Sequence, residues 1–347
     1  MIGGSTMTVE NISGEVLTVL GPVPANELGI VLVNETLLSV YPGAEYAPEI
    51  TIDRSEVFEI LKNKMLDFKR LGGKTIVDQS GMFHGRDVWL YETLSKTTGI
   101  HIIASTGLGP EKLLSGYFTA PQTNPPTPWP GEKFAGLFIK EIQQGIPVPR
   151  VERAGQAGLV TSVATATGIT EIEENLFRGC GLTSLETGVA VSVQYGADAV
   201  HDLNVILNTG IEADRVIIGS VDRLDAVANN EAEKIAQKGA FVAINHVGWG
   251  AEDGYINDTE RVELIKTLID KGYVNQILIS SSAVGVAKGH SASDLSYSYM
   301  LEKFVPQLVK AGVSQQHIRT ILEQNPQRIL ATTKANVVQE KEVYTPL

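Results

Sequence analysis

Cysteine is almost missing from this chain. Cys180 is the only one among 347 residues, so no disulfide forms within the chain. It lies in a helix-like stretch, Glu171 to Leu185, with no Cys or His at ligand spacing, and reads as inert packing. An excess of positive charge is missing too. Lys and Arg total 28 against 40 Asp and Glu, the formal charge is −12, and no basic stripe breaks the pattern, which excludes a nucleic-acid partner. No apolar run approaches the ~18 residues that a membrane span needs, so no membrane partner is expected either. Met1 to Ser13 carries neither the basic nor the apolar region of a secretory signal, and the expected location is the cytoplasm. A phosphate-binding loop is absent. Gly248-Trp249-Gly250 lacks its context, and Trp249 is expected to shape a pocket wall.

What is present is a regular alternation of β-rich runs and helical patterns. Eight candidate strands can be read: Ile30–Val33, Thr75–Asp78, His101–Ser105, Gly158–Thr161, Val189–Val193, Arg215–Gly219, Ala240–Ile244 and Gln276–Ser280. Several are continuously apolar, as parallel strands buried on both faces should be. Amphipathic stretches such as Ser55–Leu71 and Thr259–Lys271 separate them. Eight strand-then-helix units predict an α/β fold, a single (β/α)8 TIM barrel with its site at the strand C-termini. The expected divisions are a flexible N-terminus (1–13), a β-hairpin-like lead-in (14–27) capping the barrel floor, the barrel (28–330) and a C-terminal tail (331–347). An insertion from Pro110 to Gly131 follows the third strand and carries five prolines between Pro121 and Pro130. It reads either as a substrate lid with Tyr117, Phe118 and Trp129 facing inward or as a solvated loop.

Short motifs recur in a telling order. They are Leu28-Gly29, the run Gly73 to Asp78 with Gly85-Arg86-Asp87, Thr106-Gly107-Leu108, Ala157-Gly158, Thr187-Gly188-Val189, the run Val216 to Gly219, Gly272-Tyr273, the run Gln276 to Ser280, and Asn325-Pro326. With this order and spacing the chain resembles the phosphotriesterase family of the amidohydrolase superfamily, which includes the phosphotriesterase-like lactonases. The resemblance covers about residues 14 to 331. It implies a barrel of the amidohydrolase type, and a dimer is common in that family.

The resemblance also implies two divalent metals held by a His-x-His pair, a carboxylated Lys, two further His and an Asp. Two metals would activate a bridging hydroxide and polarise the electrophile. At the matching positions stand Asn34 and Thr36, Thr161, Gln194, Ser220 and Ser282. All are neutral and poor ligands for a dication, so no metal and no cofactor is expected. The six histidines, His84, His101, His201, His246, His290 and His317, all lie more than two residues from these positions. The replacements are polar and roughly small, which reads as a maintained polar pocket or as ligands removed by engineering.

Some chemistry is left. His246 follows the seventh strand, where barrel enzymes place catalytic groups, and reads as a general acid or base or as a loop histidine bonded to backbone. Asp222 reads as its orienter or as a surface salt bridge beside Arg223 and Asp225. Asn34, Thr36, Thr161, Gln194, Ser220, Asn245 and Ser282 are expected to line a substrate pocket, with His84 at its rim. Neutral donors such as Asn34, Gln194 and Ser220 suit a developing oxyanion. The triplet Ser280-Ser281-Ser282 reads as polar lining rather than a nucleophile, since no elbow motif accompanies it. By strand alternation Glu35 points away from Asn34 and Thr36 and is structural, as is Asp78, while His101 and His317 are expected to play no chemical part. Three readings compete. The first is a metal-independent enzyme (hydrolase, lyase or isomerase) acting on a small carbonyl, ester or lactone-like compound. The second is a catalytically silent protein that binds a small ligand, and the third is an ordinary metallohydrolase with altered ligands. A small molecule is the expected partner in each, with a homodimer possible.

Overall fold

In the computed structural model, which describes residues 14–120, 124, 127–148 and 152–334, the chain opens with a hairpin. β1 (Glu15–Thr18) and β2 (Gly21–Pro24) pair antiparallel. The sheet strands follow: β3 (Ile30–Val40), β4 (Gly73–Asp78) and β5 (His101–Leu108). A small antiparallel pair, β6 (Ile146–Pro147) and β7 (Arg153–Ala154), intervenes. Then come β8 (Ala157–Val163), β9 (Ala190–Gln194), β10 (Val216–Gly219), β11 (Phe241–Ile244), β12 (Ile277–Ile279) and β13 (Val284–Lys288). Their order in the sheet is β12-β11-β10-β9-β8-β5-β4-β3-β13, every neighbour parallel.

The two ends of that order belong to one stretch of chain. Ile277–Ile279 pairs with β11, and Val284–Lys288 pairs with β3. Between them Ser282 N donates to Asn34 O (3.1 Å) and Thr36 N donates to Ala283 O (3.0 Å). The last strand therefore joins its predecessor and the first, and the sheet closes into a (β/α)8 barrel. All eight expected strands are present. β3 runs to Val40 instead of stopping at Val33 because β13 gives it a partner beyond the ring.

The closure is held by a carboxyl group. Glu35, 1% exposed, accepts hydrogen bonds from Ser280 Oγ (2.7 Å), Ser281 N (3.0 Å) and Ala283 N. Ser280 Oγ also accepts from Asn34 N (2.9 Å). One side chain of the first strand thus satisfies donors across the break between β12 and β13. Its orientation comes from a bulge. Leu32 stands opposite Ile76 and Glu35 opposite Asp78, so Val33 and Asn34 share Val77. The extra residue turns Glu35 out of the lumen and Asn34 into it. Asp78, also buried, accepts from Leu37 N (2.7 Å) and the Tyr91 hydroxyl (3.0 Å).

Strand alternation separates two cores. Val31, Val33, Val77, Ile103, Leu159, Ala190, Ile217, Phe241, Ala243 and Leu278 fill the lumen. Leu32, Ile76, Ile102, Val160, Val191, Ile218, Val242 and Ile277 face the surrounding helices. The helices carry their own start signals. Asp53 caps Arg54–Arg70, Thr170 and Glu173 form a capping box on Glu171–Thr187, and Asn257 and Glu260 form one on Asp258–Asp270. The hairpin seals the floor: Val16, Ala25 and Leu28 join the lumen core, and Val19 N donates to Ile102 O. Gly158 permits this approach, since a Cβ there would lie 2.2 Å from Leu17 O.

The proline-rich insertion falls partly outside the described residues (121–123, 125 and 126), as do the N-terminal segment 1–13 and residues 335–347 of the tail. Its flanks differ from both expectations. Phe118 and Trp129 are buried and pack edge to face (5.1 Å), and Trp129 meets Phe134 of the helix Gly131–Gln143 at 5.4 Å. Tyr117 stays 66% exposed. Phe118 and Trp129 pack onto this helix away from water, so these two are core and not an inward-facing lid. Among the described residues no helix is long and apolar enough to cross a membrane.

The clasp makes stability pH-dependent. Burial pushes the Glu35 carboxyl up from 4.5 to about 7 despite its three donors. Between those values the folded chain holds a proton that the unfolded chain has released. Stability should therefore fall as pH rises through this window, by up to about 3 kcal/mol. Urea unfolding across this range should show a steeper fall in the wild type than in Glu35→Gln. Equal slopes would remove Glu35 as its source.

Candidate functional site

Two residues beyond the apolar lumen layer, the inward positions turn polar. Val77 is followed by Gln79, Ile103 by Ser105, Leu159 by Thr161, Ala190 by Ser192, Ala243 by Asn245 and Leu278 by Ser280. This is the period-two step of a strand, carried from the core to the mouth. The side chains of the layer bond mainly to one another. Asn34 Nδ2 donates to Ser282 Oγ (2.6 Å), whose hydroxyl donates to Asn245 O (2.6 Å). Ser220 N donates to Asn245 Oδ1 (2.8 Å), and Ser220 Oγ reaches Gln194 Oε1 at 3.4 Å. Thr161 Oγ1 donates to Gln79 Oε1 (3.2 Å). Thr36 is half-buried, its carbonyl taken by the Tyr297 hydroxyl (2.7 Å). Ser220 and Ser282 both hold positive φ, 62° and 47°, where the chain turns out of the strand ends.

Asp222, His246 and Arg261 form a separate, charged group. Asp222 is fully buried. It accepts from His246 N (3.0 Å), His246 Nδ1 (3.1 Å) and Arg261 Nε (2.9 Å). Burial would raise its carboxyl, but His246 and Arg261 outweigh that and hold it below its ordinary value. A carboxylate can only accept, so Nδ1 of His246 donates and Nε2 is the nitrogen left for chemistry. Among the described residues nothing is hydrogen-bonded to that Nε2. Tyr255 stacks on the imidazole (centroids 3.6 Å apart), and Trp249 meets it edge-on at 5.7 Å while donating from Nε1 to Ser281 O (2.7 Å). Arg261 comes from the helix Asp258–Asp270 and also donates to Trp249 O and Asp258, so the outer layer fixes the loop over His246.

The structure thus brings together Asn34, Thr36, Thr161, Gln194, Ser220, Asn245 and Ser282 around the strand ends, with His246, Asp222 and Trp249 on the sixth- and seventh-strand side. Asp222 is ion-paired to Arg261; Arg223 pairs instead with Asp225 and donates to the carbonyls of Tyr195 and Gly196. His84 is tied to its own loop by Nδ1 donating to Ser80 O (3.1 Å), and burial lowers its pKa. Ser280 and Ser282 spend their hydroxyls on Glu35 and Asn245 O, and among the described residues none of the three serines is bonded to a histidine. Sequence reasoning missed Gln79, Ser192, Tyr255 and Arg261. The first two were open to the two-residue count; the last two carry no local signal.

A model of the phosphotriesterase family matches residues 14–330, and the chain belongs to that family. It is 24% identical over 276 residues to the phosphotriesterase homology protein of Escherichia coli (strain K12), covering 79% of this chain and 89% of that one. It is 26% identical over 321 residues to an aryldialkylphosphatase of Saccharolobus solfataricus, covering 89% and 97%. An N-acetyltaurine hydrolase of Salmo salar is 22% identical over 356 residues, covering 92% and 98%.

The side chains at the six matching places do not fit a pair of divalent cations. They supply no charge and no imidazole, and Asn34 spends its amide nitrogen on Ser282. Among the described residues no group of three His, Cys, Asp or Glu is placed to hold a metal ion.

Removing one partner of a buried pair leaves an uncompensated charge. Arg261→Met should cost about 3–5 kcal/mol in denaturant unfolding. The paired Asp222 carboxylate contributes stability above its unfolded value of 3.8 and loses it as the pH falls further. The variant should therefore also lose stability less steeply at the acid end. An unchanged midpoint would show that the pair is not stabilising.

Proposed function

We propose that this chain is a hydrolase of phosphotriesterase type that works at the barrel mouth without bound divalent metals. Its substrate would be a small carbonyl, ester or lactone-like compound. The observation that carries the reading is the buried Asp222 carboxylate, which holds Nδ1 and the backbone N of His246 and leaves only Nε2 free for proton transfer. The relatives, an aryldialkylphosphatase and an N-acetyltaurine hydrolase among them, support the reaction class.

In this reading Nε2 takes a proton from a water molecule as the water oxygen bonds to the substrate's carbonyl carbon. The imidazolium so formed is stabilised by Asp222. Collapse of the tetrahedral adduct breaks the bond to the leaving oxygen, which receives the same proton. Neutral donors of the strand-end layer hold the developing oxyanion, each worth about 3 kcal/mol when preorganised. A general base of this kind supplies about 10²–10⁴-fold, far less than a metal-bound hydroxide, so phosphotriester turnover should be negligible.

A second reading, a silent ligand-binding barrel, is favoured by one feature. The Ser280 and Ser282 hydroxyls are consumed within the protein, and Tyr255 covers one face of the imidazole.

Turnover of 4-nitrophenyl acetate and δ-valerolactone with and without chelator decides between them. The proposal expects chelator-resistant turnover, about a hundredfold slower in His246→Ala while that variant stays folded. No turnover with retained binding favours the silent barrel. About two zinc or manganese ions per chain, with triester turnover abolished by chelation, would instead make it a metallohydrolase.

A further inference from the structure

Gln79 was not among the expected site residues, and its side chain bonds to three other strands of the ring. It leaves β4, and its Oε1 accepts from Thr161 Oγ1 on β8 (3.2 Å) and Ser192 Oγ on β9 (3.0 Å). Its Nε2 donates to Val33 O on β3 (2.7 Å). In the ring β5 lies between β4 and β8, so this carboxamide spans the lumen as a chord and does not follow the wall. Its backbone N donates to Glu35 O (2.9 Å), which ties it to the strand that closes the barrel.

The orientation of the amide is fixed by its partners. A backbone carbonyl can only accept, so Nε2 must face Val33 O, and the two hydroxyls must then serve Oε1. That occupies both acceptor positions of the oxygen and one of the two N–H groups. One N–H is left over, on a half-buried side chain directly above the apolar lumen layer.

We infer that Gln79 is a specificity-determining residue of the mouth, its spare N–H donating to the carbonyl oxygen of a small neutral lactone, ester or amide. The inference rests on the substrate class proposed above and deepens it. A carbonyl oxygen answers this unfilled donor, whereas an ether oxygen is a poor substitute. The two arginines nearest His246 among those described are held in ion pairs and are not free to follow an anionic head group: Arg261 pairs with Asp222 and Asp258, and Arg223 with Asp225 while also donating to two backbone carbonyls.

The test compares δ-valerolactone with tetrahydropyran, the same ring without the carbonyl, by ligand-observed NMR titration of wild type, Gln79→Leu, Gln79→Glu and His246→Ala. Gln79→Leu removes the donor. Gln79→Glu keeps the acceptor for Thr161 and Ser192 while losing the N–H, and serves if the first variant melts early. The expected result is lactone binding to wild type and His246→Ala, weakened at least tenfold in both Gln79 variants, with tetrahydropyran insensitive to all of them. Equal lactone affinity in a folded Gln79 variant and wild type would overturn the assignment while leaving the hydrolase reading intact. So would failure of the wild type to bind the lactone. If the binding pattern holds but His246→Ala turns over ester as fast as wild type, the Gln79 assignment stands and the proposed catalysis falls.

Discussion

The barrel depends on one buried carboxyl group. Glu35 gathers Ser280, Ser281 and Ala283 onto the first strand at the point where the last strand changes partners. Without those bonds the backbone donors of Ser281 and Ala283 would be buried and unpaired, at roughly 1–3 kcal/mol each. The same clasp sets the mouth. It brings Ser282 against Asn34 and Asn245, and through Asn245 it fixes Ser220. The bulge at Val33 and Asn34 is what lets one short segment do both jobs, presenting a carboxyl outward and a carboxamide inward on successive residues.

Around that frame the charges are few and confined. Asp222 is the carboxylate beside the mouth, and it is spent on His246 and on Arg261 from the outer helix layer. The rest of the ring is amide and hydroxyl, satisfied chiefly within itself. Such a surface costs little to hydrate and little to strip of water. It suits a neutral ligand better than a cation, whose dehydration needs negative charge in return. In the proposed reading His246 Nε2, which has no hydrogen-bond partner among the described residues, and the spare amide N–H groups of the neutral ring, that of Gln79 among them, are the features that would give this mouth its chemistry.

Much of the fold was legible because parallel strands buried on both faces write themselves as apolar runs, and because capping residues such as Asp53 and Thr170 mark helix starts. The strand-end positions followed from ordered motifs. The bulge is invisible in sequence, yet Glu35 was placed correctly because alternation was counted locally from Asn34 to Thr36. Gln79 and Ser192 match no position with a family role, although a step of two from Val77 and Ala190 reaches both. Arg261 sits in Asp258-Thr259-Glu260-Arg261, a run that reads as a solvated helix start, and only tertiary packing shows it buried. Tyr117, Phe118 and Trp129 were offered to a lid because aromatics near a mouth suggest one. Two of the three instead found the Gly131–Gln143 helix, where burial gains more.

The central claim is that His246, set by Asp222, is the reactive group and that no metal stands beside it. Nitrogen-15 NMR of the imidazole in chelator-treated protein at alkaline pH tests it most directly. The account predicts a protonated Nδ1 and an unprotonated Nε2 for His246, with neither signal moved by added zinc. A ring protonated at Nε2, or a stoichiometric zinc-dependent shift of that nitrogen, would contradict it.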